Sequence, residues 1–214
     1  GNRTGAGAGA GGPAAARVGY LGRISEEKGL AYLAECAPLL LAGRPGARVV
    51  VAGTPLTARD HAYLARVRRR LARLGVADRF EFVGEIEDAR AFLETVDVLA
   101  LPSKREGLGI VALEAGATAK PVVAFAVGGI TETVTDGRNG LLVRPGDVGG
   151  LARAIGRLLD DRQEARAMGE RARKTVTERF SIGEAALGLT EVYLELLGKR
   201  PAGAAQGPAA LERR

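Results

Sequence analysis

"VDVLALPSKREGLGIVALEAGATAKPVVAFAV", residues 96–127, decides the fold. Both ends are short apolar runs, too brief for a helix and apolar on both sides, as strands of a covered parallel sheet are. Between them, Ile110 to about Thr118 reads as a helix entered through a turn with glycines at 107 and 109. A strand, a glycine turn, a helix and a second strand make one unit of an α/β chain.

The same alternation continues outward in both directions. Upstream, "ARVGYL" is a strand ending at Gly22, and Leu30, Leu33, Ala34, Ala37 and Leu41 recur at helical spacing behind it. "ARVVVAG" is a strand, residues 58–74 form an arginine-rich helix stopped by Gly75, "RFEFVG" is a strand, and residues 88–95 a helix. Downstream, residues 130–135 are a short helix and "GLLVRP" is a last strand. Leu151, Ile155, Leu158 and Leu159 then make one apolar stripe within a helix over 148–159. The pattern predicts an open doubly wound, Rossmann-like parallel sheet with helices on both faces, whose ligands sit at the carboxyl ends of the strands.

The chain ends differ from the middle. Residues 1–16 and 198–214 are rich in Gly and Ala and poor in large apolar side chains, so they read as a linker or disordered leader and a disordered tail around a folded body at 17–197. The first residue is not Met, and the chain reads as a piece of a longer protein. No apolar run approaches the ~18 residues of a membrane span, and no secretion signal opens the chain, which leads us to expect a cytoplasmic body. One cysteine, Cys36, and one histidine, His61, exclude an internal disulfide and make a zinc or iron site a poor expectation.

The net charge of +6 suits anionic partners. Aromatic residues make up only 4% of the chain, too few for stacking platforms, which argues against nucleic acid. Arg66, Arg68, Arg69, Arg70 and Arg73 lie on one predicted helix; a solvated basic face accounts for them, and contact with the acidic lipids of a cytoplasmic membrane face is the alternative. His61 is on the same helix and reads as a surface side chain, while Cys36 reads as a small core residue. In the last helical pattern Leu187, Val192, Tyr193 and Leu196 are spaced for burial, in part against a partner.

The candidate chemistry lies at the strand ends. With Gly107 and Gly109 in the turn, the free N–H groups of Ile110, Val111 and Ala112 would point out of a helix N-terminus, an anion site that suits phosphate. Glu106 stands before this turn and Glu114 beyond the first helical turn, placed for different parts of one ligand. Spacing alone fits equally well a helix N-terminal charge plus an exposed acid. "GRISEEKG" adds Arg23 and Lys28, a planar fork and a mobile point charge able to converge on one diphosphate.

These segments, in this order, resemble the carboxy-terminal, donor-binding domain of GT-B fold retaining glycosyltransferases of family 4. The resemblance covers nearly all of 17–197 and includes the family's paired-glutamate motif at Glu106 and Glu114. It implies transfer of a sugar, with retention and without a metal or other cofactor, from a nucleotide-diphosphate sugar to an acceptor. By the same resemblance, Arg23 and Lys28 would bind the donor diphosphate and stabilise the leaving group, and Glu106 would hold hydroxyls of the transferred sugar. Gly22, Gly107, Leu108 and the amides of Gly109, Ile110 and Val111 would lie along the donor. Glu114 would hold the ribose, and the backbone at Ile86 would meet the nucleobase. It also implies an amino-terminal acceptor domain that this chain lacks, so the chain alone is expected to bind donor without turnover. A non-catalytic sugar-nucleotide-binding or interaction module on the same fold is the alternative. Two positions depart from the family pattern: Gly116 replaces a larger residue and is expected to loosen the packing of its helix, and Ala119 replaces a glycine.

Overall fold

The computed structural model describes residues 15–197. The leader and tail expected at 1–16 and 198–214 lie outside the described residues, apart from Ala15 and Ala16. Six parallel strands form one sheet in the order β3-β2-β1-β4-β5-β6. They are β1 (Arg17–Leu21), β2 (Arg48–Ala52), β3 (Phe80–Gly84), β4 (Val98–Leu101), β5 (Val122–Phe125) and β6 (Gly140–Val143).

Between and after the strands come α1 (Leu30–Leu41), α2 (Ala58–Arg73), α3 (Ala89–Glu94), α4 (Ile110–Ala117), α5 (Ile130–Thr133), α6 (Val148–Asp160), α7 (Arg162–Arg179) and α8 (Ile182–Leu196). Each predicted strand and helix is present, with ends that differ by a few residues. Helix α7 is an addition that the periodicity did not assign. The expected doubly wound α/β fold is the observed one.

Alternate residues of the strands feed two cores. Val49 and Val51, Val98 and Ala100, and Val123 and Phe125 pack with α1, α2 and α6 on one face. Val50 and Ala52, Leu99 and Leu101, and Val122 and Ala124 pack with Phe92 and Leu93 of α3 and Ala112 and Ala115 of α4 on the other. Each large aliphatic side chain taken fully from water contributes about 1.5–3 kcal/mol, so apolar residues at both strand parities are what commit these runs to a covered sheet.

The strand order places a reversal between β1 and β4: the chain winds outward from β1 through β2 to β3, then crosses back to β4 and winds the other way. At such a point the loops leaving adjacent strand ends diverge and leave a crevice. Residues 22–29 leave β1 there and residues 102–109 leave β4.

Two departures from the sequence expectations concern packing. Gly116 does not loosen α4: it is buried, and a Cβ there would lie 2.7 Å from Val176 Cγ2, so the missing side chain admits α7 to close contact. Leu187, Val192, Tyr193 and Leu196 are exposed on α8, not buried in this domain. The sheet faces are already closed by α1, α2 and α6 on one side and α3, α4 and α5 on the other. Ala119 does adopt the left-handed backbone, with φ 55, where an L side chain is strained. Cys36 is buried in the core, and burial pushes its thiol up to about 12; His61 is exposed.

Candidate functional site at the strand reversal

Two helices, α4 and α5, start at a glycine without a side-chain cap or a hydroxyl standing in for one, but in α5 the first amides donate to Val127 O and Gly128 O. Side-chain oxygens of Thr57, Asp88, Asp147 and Asp161 accept from backbone N–H groups at the starts of α2, α3, α6 and α7. At α1, whose N-cap is Gly29, the Tyr63 hydroxyl accepts from Ala31 N–H at 2.8 Å. Helix α4 begins at Gly109, φ 72, with no side-chain cap. Its third amide, Ala112, donates to Gly109 O at 2.8 Å, which corrects the expected set of open donors from three to two, Ile110 and Val111. Those two N–H groups and the helix dipole make the anion-receptive end of the crevice.

Close backbone contacts hold this turn in place. A Cβ at Gly128 would lie 2.0 Å from Glu106 O, and one at Gly129 would lie 2.0 Å from Gly107 O, so only glycines let the β5–α5 loop support the 106–109 turn from behind. Gly129 N–H donates to Glu106 O at 3.3 Å. Neither glycine was singled out from sequence; the "VGG" run after a strand is the local signal that was there to find.

Across the crevice, Lys28 Nζ lies 2.7 Å from Glu106 Oε1, joining the loop after β1 to the loop after β4. Ser103 Oγ donates to the same oxygen at 2.8 Å, and Ser103 is buried. The Glu106 side chain is 11% exposed, so its free oxygen is the part of the carboxylate still able to meet a ligand. A buried carboxylate is tolerable here because a cation and a hydroxyl both satisfy it. Ser103 was missed by sequence reasoning, since a serine before a charged loop carries no distinctive pattern.

Arg23 is not drawn to Lys28. Its guanidinium is exposed and lies 3.6 Å from Glu27 Oε2, so the two cations are held by different carboxylates. The Tyr20 hydroxyl donates to Arg23 O at 3.0 Å and fixes the loop's backbone. Burial raises the Tyr20 phenol above its ordinary value, with Tyr63 and Glu106 adding to the effect and Arg23 opposing it, so it stays a neutral donor. Gly22 N–H donates to Ala52 O at 3.1 Å and continues the strand pairing to the rim.

Glu114 is apart from Glu106, which is tied to Lys28 and Ser103. Glu114 is half-buried and lines a cavity of about 420 Å³ with Asp88, Arg90 and Thr118. Burial raises its pKa above the ordinary glutamate value. Ile86, a few residues before Asp88, packs with Val111 against the core on this face of the sheet, so the predicted ribose and base contacts share one side of α4. Gly107 and Leu108 are exposed in the turn, and Ile110 is 65% exposed beside it. Among the described residues, no group of three or more His, Cys, Asp and Glu is placed to hold a metal ion.

A reversal-point crevice with two open amides, a lysine–glutamate pair and a half-buried second carboxylate makes this a doubly wound α/β domain with an anion-receptive site at its strand reversal. Known proteins agree with that class. The model of the family "Glycosyl transferases group 1" matches residues 14–175. The lipopolysaccharide core biosynthesis mannosyltransferase LpsB of Rhizobium meliloti is 33% identical over 187 residues, 86% of this chain and 53% of that protein. The 2-deoxystreptamine glucosyltransferase of Streptomyces kanamyceticus is 35% identical over 85% of this chain and 46% of its own.

Among solved structures, Anabaena Alr3699/HepE in complex with UDP superposes with a TM-score of 0.79 at 28% identity, covering 84% of this chain and 48% of that one. The carboxy-terminal domain of LpcC from Francisella tularensis, also 28% identical, covers 78% of this chain and 87% of its own with a TM-score of 0.72. The chain belongs to the glycosyl transferases group 1 family, family 4 of the GT-B fold. It spans about half the length of the curated relatives it matches.

Proposed function

We propose that this chain is the donor half of a retaining, metal-independent hexosyltransferase that moves a sugar from a nucleotide-diphosphate sugar to an acceptor. An amino-terminal domain outside this chain would hold that acceptor. The observation that carries the reading is the 2.7 Å Lys28–Glu106 contact beside the uncapped start of α4. The diphosphate would take the Ile110 and Val111 amides and draw Lys28 and Arg23 to its oxygens. As the bond from the sugar's anomeric carbon to the diphosphate oxygen breaks and a bond to the acceptor's oxygen forms on the same face, with the acceptor's proton passing to the leaving group, negative charge grows on that group, where the two amides point and the two cations would be drawn. Lys28 exchanging Glu106 for phosphate would free the carboxylate to accept from sugar hydroxyls.

Glu114 would accept from the ribose hydroxyls, and the backbone at Ile86 would border the base. Support comes from Alr3699/HepE, known with UDP and with UDP-glucose bound; uridine nucleotides are the first donors to try. We place the domain in the cytoplasm; among the described residues no helix is long and apolar enough to cross a membrane. Alone, the chain should bind donor without transferring the sugar. Calorimetric titration with UDP, GDP and ADP sugars tests the reading: saturable heat with one of them is expected, and no heat with any overturns it.

A further inference from the structure

Helix α2 carries six arginines and one acid, Asp60, which is committed to a capping box with Thr57. Arg59, Arg66, Arg70 and Arg73 fall within a narrow sector of the helix at 100° per residue and form a line about 20 Å long. Tyr63, Val67 and Leu71 face the core, so the line runs along the flank of the buried stripe, beside a groove toward α1. That groove, about 590 Å³, is walled by Tyr32 and Tyr63 and lined by five cations against two carboxylates.

One of the two carboxylates, Glu26, is shared among Lys104 at 3.0 Å, Arg59 at 3.6 Å and Arg66 at 3.9 Å, one negative charge against three positive ones. Among the described residues no carboxylate lies within ion-pair distance of Arg70 or Arg73. Helix α7 is as rich in basic residues, but acids on the same helix offset them, as in Arg173–Glu170 and Lys174–Glu178. With six basic residues against one acid on α2 and six against three on α7, the excess positive charge is larger on α2.

We infer that this arginine line is a docking surface for an anionic phospholipid layer. One soluble phosphate meets one or two arginines; a line of this length needs repeated anions, as a headgroup layer presents. Leu56, 68% exposed just before the helix, adds an apolar contact suited to the headgroup–acyl boundary. Tyr63 is buried, and Arg66 and Lys104 already lie over the Tyr63 and Tyr32 rings, 5.7 and 6.0 Å from their centroids, which argues against base stacking there. The surface shares no residue with the proposed donor site, and nucleotide-sugar affinity reports on that site separately.

The test is co-sedimentation of the full 214-residue chain with vesicles of phosphatidylcholine alone and of phosphatidylcholine with phosphatidylglycerol. Binding to the second only is expected, weakening as salt is raised. Reversing Arg66, Arg70 and Arg73 to Glu together, or the milder pair Arg70→Gln and Arg73→Gln, should lower the bound fraction by roughly tenfold or more, with nucleotide-sugar affinity and the unfolding curve retained. Reversal of Arg166 and Arg173 on α7 should change it less than about twofold. Four outcomes would overturn the inference: no binding to phosphatidylglycerol vesicles, equal binding to neutral ones, undiminished binding by the α2 variants, or tighter binding to a DNA duplex than to vesicles.

Discussion

Lys28 and Glu106 are 78 residues apart in sequence, and their side chains meet at 2.7 Å across the strand reversal. The contact follows from strand order: β1 and β4 are neighbours in the sheet, so the loops that leave them face each other. It holds a cation where a diphosphate would arrive and keeps a carboxylate beside it. If Lys28 binds the donor diphosphate as proposed, Lys28→Ala would remove one charge-assisted hydrogen bond to it, about 1.5–3 kcal/mol, so affinity for a nucleotide diphosphate should fall by about tenfold to a hundredfold in calorimetry.

Ser103 makes a narrower prediction. Its hydroxyl donates to Glu106 from a buried position and so orients the carboxylate. Ser103→Ala should cost about 1 kcal/mol of stability. If Glu106 holds the sugar, the variant should also narrow the affinity difference between nucleotide sugar and bare nucleotide, leaving the bare nucleotide unchanged. A purely structural serine would leave that difference intact.

Glu114 gives a pH prediction. Burial raises its folded pKa, so its protonated form is favoured in the fold and the stability linked to it is lost as pH rises through that pKa. Glu114→Gln should therefore match the parent in acid and gain thermal stability over it toward neutral pH. The same variant should bind nucleotide more weakly, by about tenfold, if the carboxylate holds ribose hydroxyls. Thermal scans across pH and one calorimetric titration check both halves.

Ala119 holds a left-handed conformation at φ 55 that costs an L-residue about 1 kcal/mol. Ala119→Gly should raise the unfolding midpoint without changing donor affinity, since the residue lies at the far end of α4. Denaturant unfolding measures the first and calorimetry the second.

Which parts were legible in the sequence has a physical pattern. Strands such as "RVVVA" and "VLAL" are apolar at both parities and declare a covered sheet by themselves. Helix α7 did not, because its buried side is Ala165, Met168, Gly169 and Ala172, mostly small residues whose value lies in close approach to α4 and not in apolar area. Spacing on α8 showed an apolar face, but spacing cannot say whether a face meets this domain or another chain; Leu187 and Leu196 are exposed. At the site, the glycine turn and the two glutamates were readable locally. Ser103 is close in sequence but patternless, and the supporting contacts of Gly128 and Gly129 exist only once β4 and β5 are paired.

The central claim is that donor phosphate binds at the open start of α4. Its most direct test is an amide-resolved nuclear magnetic resonance titration of the chain with UDP-glucose, followed by the other nucleotide sugars. The account predicts the largest shifts at the amides of Gly109, Ile110 and Val111, with a change at the Lys28 ammonium as it leaves Glu106. Saturable binding whose shifts cluster elsewhere, leaving those amides and Lys28 unmoved, would contradict it.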